Sequence, residues 1–188
     1  MSISEEMELS NVKVFKNIML LFLMVTLTGC SEIVETDSSQ YESYVEDVVN
    51  SSYLMPDLGD LGDYRKIKTT YYLSSSRAYE TISLIVEYEE EEYIKQKEIA
   101  VDGLSFLTES KQNEKTGVIY VMEPTFEYNG YTISVVNNED FIYICNYGMF
   151  GYNDETFELV YLYVNSPEIC SNKDDSMEEY MDHVFRLD

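Results

Sequence analysis

The sequence predicts an α+β fold: an antiparallel sheet of six to seven strands, with an N-terminal, a middle and a C-terminal helix packed on one face. Three observations carry this expectation. After Gly103 the apolar residues fall at period two, the spacing that places side chains on one face of a strand. Asn129-Gly130 is a strong hairpin signal, and consecutive hairpins require antiparallel pairing. Three stretches carry helix signals, either capping-box spacing or a charge gradient that matches the helix dipole. With 188 residues, 45% apolar and 26% charged, the composition suits one globular domain.

The first element is a leader. Lys13 and Lys16 precede an apolar run from Ile18 to Leu27. Ten helical residues rise about 15 Å, half of a hydrocarbon core of about 30 Å, so the run fits a secretory signal and not a membrane span. It closes on Leu27-Thr28-Gly29-Cys30. This stretch resembles the lipobox of bacterial lipoproteins. The resemblance implies cleavage before Cys30, a diacylglyceryl group and palmitate-type chains on that residue, and anchoring at the outer face of the cell membrane. Two acyl chains give the double signal that stable anchoring needs. Glu5, Glu6 and Glu8 are unusual ahead of a basic region, and a start at Met7 removes the first two. The expected organisation is 1–29 signal peptide, 30–39 lipidated Cys and short tether, and 40–188 a single extracytoplasmic domain. The chain from Cys30 onward has 159 residues, 33 acidic and 10 basic, a net charge of −23.

Within that domain, Ser39 and Glu42 have capping-box spacing ahead of Tyr41, Tyr44, Val45, Val48 and Val49, predicting a helix over 40–52. Pro56, Gly59 and Gly62 then break it. Residues 64–73 and 78–88 read as a strand pair. The span 89–101 reads as a helix, with glutamates in its first turn and Lys95 and Lys97 following. Strands are expected over 117–122, 125–128, 131–136, 141–147 and 156–164. The last two are apolar on both faces, which predicts a central position in the sheet. Ser176 and Glu179 repeat the capping-box spacing before Met177, Tyr180, Met181, Val184 and Phe185, a closing amphipathic helix.

Few residues point to chemistry. Cys145 and Cys170 are the candidate disulfide pair of an exported domain. A free Cys145, buried in its strand, fits the spacing equally well. Asp57, Asp60 and Asp63 are the calcium candidates, with Glu87 to Glu92 as a second acidic cluster, but neither has EF-hand spacing. The single His, His183, sits four residues after Glu179, the spacing of a helix-surface pair. No G-x-S-x-G, P-loop or H-E-x-x-H motif is present, and the Ser10 to Lys13 match to Ser-x-x-Lys lies in the leader. No cofactor is implied. The excess of 36 acidic over 12 basic residues argues against nucleic acid. Arg65, Lys66 and Lys68 are the one basic grouping that would offset it. Tyr71, Tyr72, Tyr88, Tyr120, Tyr143, Tyr161 and Tyr163 fall on expected strands. They would form either a sugar-stacking or protein-binding face, or simply half-buried strand positions.

The stretch Met55-Pro56-x-Leu58-x-x-Leu61-Gly62-x-Tyr64 and the run from Glu92 to Glu98 resemble small Gram-positive lipid-anchored proteins with no assigned activity. That resemblance implies fold and address. Two functions remain open at this point. One is a non-enzymatic binding or interaction module whose partner is an envelope protein or a saccharide. The other is an envelope hydrolase with a metal site made only of carboxylates.

Overall fold

A computed structural model describes residues 32–48, 54–74, 79–112, 119–121, 123–139, 146–165, 181–182 and 185. The chain divides into Met1–Ser31 and Glu32–Asp188, and all the described residues belong to the second unit. Seven strands form one sheet: β1 (Ile33–Glu35), β2 (Tyr64–Leu73), β3 (Glu80–Tyr88), β6 (Thr125–Tyr128), β7 (Tyr131–Val135), β8 (Asn146–Asn153) and β9 (Glu158–Asn165). Their order is β1-β2-β3-β9-β8-β7-β6, every pair antiparallel. Between β3 and β6 lie α2 (Glu90–Gly103) and a small separate pair, β4 (Lys111–Gln112) with β5 (Ile119–Val121). The sheet is thus two meanders. The connection through α2 carries the chain to the far edge, and the second meander returns until β9 pairs with β3.

Register assigns the faces, because residues directly opposite each other in a ladder share one. Thr69, Leu84, Tyr161 and Phe150 line up on the first face, and Thr70, Ser83, Leu162 and Met149 on the second. Leu84 and Leu162 are both fully buried, so the central strands are covered on both sides. That requirement explains their continuous apolar runs. β9 takes the middle of the sheet, as its two apolar faces predict.

The helix α1 (Tyr41–Val48) follows a 3-10 turn at Ser38–Gln40. Asp37 caps this turn, accepting from Ser39 N at 2.9 Å, so the expected Ser39 cap is displaced by two residues. Tyr41 and Val45 are buried, and Tyr44 stacks on Tyr71 of the first face at 4.3 Å between ring centroids. α2 crosses the same face, burying Tyr93 against Phe157. The third helix departs from expectation. Met181 and Asp182 are helical, but Asp182 accepts from Tyr128, which register places on the second face. The described residues therefore contain two helices on one face and a helical fragment on the other, not three helices together. Apolar residues on both faces of β3 and β9 call for cover on both sides.

One boundary also shifts. Ile33–Glu35, inside the expected tether, is an edge strand paired to Tyr71–Leu73. A strand runs over Asn146–Asn153, and of the strand expected over 141–147 residues 141–145 lie outside the described residues. The hairpin at Asn129-Gly130 forms as expected, with φ of 50° and 82° at the two turn residues.

Candidate functional site

A cleft of about 250 Å³ opens between α2 and the loop that precedes β2, floored by Tyr161 of β9. Its walls are Leu54 and Leu61 from the loop and Ile99, Ala100 and Leu104 from the end of α2. Asp60 and Gln96 stand at its polar margin. The loop is fixed at three points. Tyr41 donates to Pro56 O at 3.0 Å. Leu54 packs into the notch left by Gly148, where a Cβ would collide with Leu54 Cδ2. Gly62, at φ +70°, lies against Glu92 and Gln96, so a side chain there would meet both. Gln96 in turn donates to Glu92 at 2.7 Å. That bond and the Lys95 ammonium at 3.0 Å hold the Glu92 carboxyl below its ordinary range.

The cleft is lined mainly by apolar residues, and it is small. Sites for drug-sized ligands run to about 300–1,000 Å³. A volume of about 250 Å³ suits one large side chain or a fragment of that size. Burial pushes the Tyr161 hydroxyl well above the ordinary tyrosine range, so it stays protonated and can donate. Ile99, 57% exposed, stands at the cleft with its apolar surface in water. These features are those of a docking point for an apolar group.

The charged clusters nearby are closed on themselves. Asp154 accepts from Tyr93 and from Lys97 at 2.6 Å, while the Lys97 ammonium sits 3.4 Å from the Tyr152 ring centroid. The Lys97 bond, then the Tyr93 bond, hold the Asp154 carboxyl below its usual range. Glu158 likewise accepts from Tyr131 at 2.7 Å and Thr156 at 2.6 Å. Each of these carboxylates braces the β8–β9 turn, where Asn153 caps the N–H groups of Glu155 and Thr156.

Cys30, Cys145, Cys170 and His183 lie outside the described residues. Asp57, Asp60 and Asp63 are all exposed, and among the described residues no three acidic, His or Cys side chains gather in a way that could hold a metal. Arg65 is taken up by Glu87 at 3.4 Å and Glu89 at 3.2 Å. Tyr72, Tyr88, Tyr161 and Tyr163 are buried and Tyr71 is half-buried under Tyr44, so these strand tyrosines are core and not an open stacking face. Tyr143 and the Tyr120 side chain are not among the described residues. The cleft itself escaped sequence reading. Its one signal was the surplus of apolar residues, Leu54, Met55, Leu58 and Leu61, in a stretch marked as a breaker.

No helix among the described residues is long and apolar enough to cross a membrane. No protein-family model, curated protein or solved structure matches the chain.

Proposed function

We propose that this chain is a lipid-anchored extracytoplasmic module that binds a protein partner through the cleft between α2 and the loop before β2. The anchor reading rests on Leu27-Thr28-Gly29-Cys30 behind its basic and apolar segments. The binding reading rests on one observation: a fixed apolar cleft, sized for a single side chain, with exposed Ile99 standing at it. An aromatic or branched aliphatic side chain of the partner would fill it, as anchor residues do at interface centres. A closing helix that follows the capping spacing of Ser176 and Glu179 belongs to the same proposal, with Met181 and Asp182 on the second face.

Two measurements test this reading. Cys30→Ala should move the protein out of the membrane fraction, and a variant that still pellets after a salt wash would defeat the anchor. For the cleft, p-cresol and indole serve as free side-chain probes. They should shift the methyl resonances of Leu54, Leu61 and Ala100 and leave those of β6 and β7 unmoved. Gly103 lines the cleft and a Cβ there meets nothing within 4 Å, so Gly103→Leu should add apolar bulk at its rim without a clash and weaken those shifts. Shifts that persist undiminished in the variant, or spread evenly over the domain, would contradict the site.

A further inference from the structure

We infer that the domain lies against the lipid surface by the β1 end of its sheet, with the end that carries Glu89 to Glu91 and the β8–β9 turn pointing away. The inference rests on lipidation of Cys30 and deepens that reading. Tyr72 donates to Glu32, and Ile33–Glu35 pairs with Tyr71–Leu73, so the chain is tied to the sheet from Glu32 onward. Two Cα steps separate Glu32 from Cys30, a reach of about 7–8 Å. A free nine-residue coil would instead allow a stand-off of about 15–18 Å.

What this short link brings to the membrane includes an exposed apolar pair. Ile33 and Val34 are 38% and 43% exposed on the sheet edge. The same rows hold Glu32, Glu35 and Glu80, of which Glu32 is bonded by Tyr72. At the opposite end, Asp63 precedes Tyr64, Glu89, Glu90 and Glu91 follow Tyr88, and Asp154 and Glu155 form the β8–β9 turn. β2 runs ten residues between these ends, about 30 Å. That exceeds three Debye lengths of about 8 Å, so repulsion between the acidic end and an anionic bilayer is screened. Two apolar side chains would not hold a free domain on a bilayer. Beside a lipid anchor their local concentration is high enough to matter.

The chain contains no Trp, so one introduced indole reports alone. Full-length, lipidated protein carrying Val34→Trp or, at the far end, Tyr64→Trp is reconstituted into phosphatidylcholine–phosphatidylglycerol vesicles with acyl-brominated lipid. The indole at position 34 should be quenched at least twofold more than that at position 64. Ile33→Trp gives the same readout should Val34→Trp disturb β1. Equal quenching at both ends in lipidated protein overturns the orientation and leaves the anchor standing. Protein that fails to float with vesicles and lacks the diacylglyceryl mass overturns both.

Discussion

Asp154 shows how single side chains brace the acidic end of the sheet. Lys97 and Tyr93 both donate to it, and its carboxyl is held below the usual range. A carboxyl depressed in the folded state stabilises above its unfolded value and loses that contribution as pH falls through the folded value. Asp154→Asn should therefore melt lower than the native protein at pH 5–8, with the gap closing below about pH 4, where the free carboxyl protonates. Thermal melts across pH decide this, and a gap unchanged at low pH would contradict it. Phe157, three residues on, holds φ at 58°, a conformation that is strained for a residue with a Cβ. Its ring packs against Tyr93 at 5.6 Å, and its carbonyl accepts from Tyr88 N at 3.0 Å, contacts that hold it there.

Among the elements, the β6–β7 hairpin was the most legible in the sequence. Asn129 and Gly130 take the positive φ values that a two-residue turn demands. Gly130→Ala should destabilise by about 1–2 kcal/mol through left-handed strain, measured by denaturant unfolding, and a neutral result would show that the turn relaxes. β2, β3 and α2 were legible for similar local reasons: alternation, length and charge placement. β8 was not. Gly148 and Gly151 look like loop punctuation in sequence, yet they leave room for Leu54 on one face and for Val160 and Ile133 on the other. β1 was missed because three residues cannot show a period. The strand tyrosines among the described residues were placed on strands correctly, but period two cannot say which faces are covered. The cleft was invisible for the same reason, since its walls come from a loop, a helix and a strand that only tertiary packing brings together.

At the scale of the whole molecule, the buried tyrosines among the described residues are structural. Burial raises the hydroxyls of Tyr41, Tyr88, Tyr93, Tyr131 and Tyr161 well above their ordinary range. A raised folded value stabilises fully below the unfolded value and is lost as pH climbs toward the folded one. Alkaline titration at 295 nm should show these groups ionising late, together with loss of circular dichroism, above about pH 10. Smooth ionisation of all tyrosines near pH 10 with the fold intact would contradict the buried core. The net charge of −23 from Cys30 onward should also keep the soluble domain from Ser31 off immobilised DNA and anionic vesicles. Retention that weakens as salt rises would expose a basic patch around Lys66 and Lys68. The proposed anchor on Cys30 is the central claim, because it would set the compartment and the membrane-facing end of the sheet. Mass analysis of the N-terminal peptide of membrane-extracted protein tests it most directly. The account expects a peptide that begins at Cys30 and carries the diacylglyceryl mass. A peptide that retains Gly29, or begins at an unmodified Cys30, would contradict it.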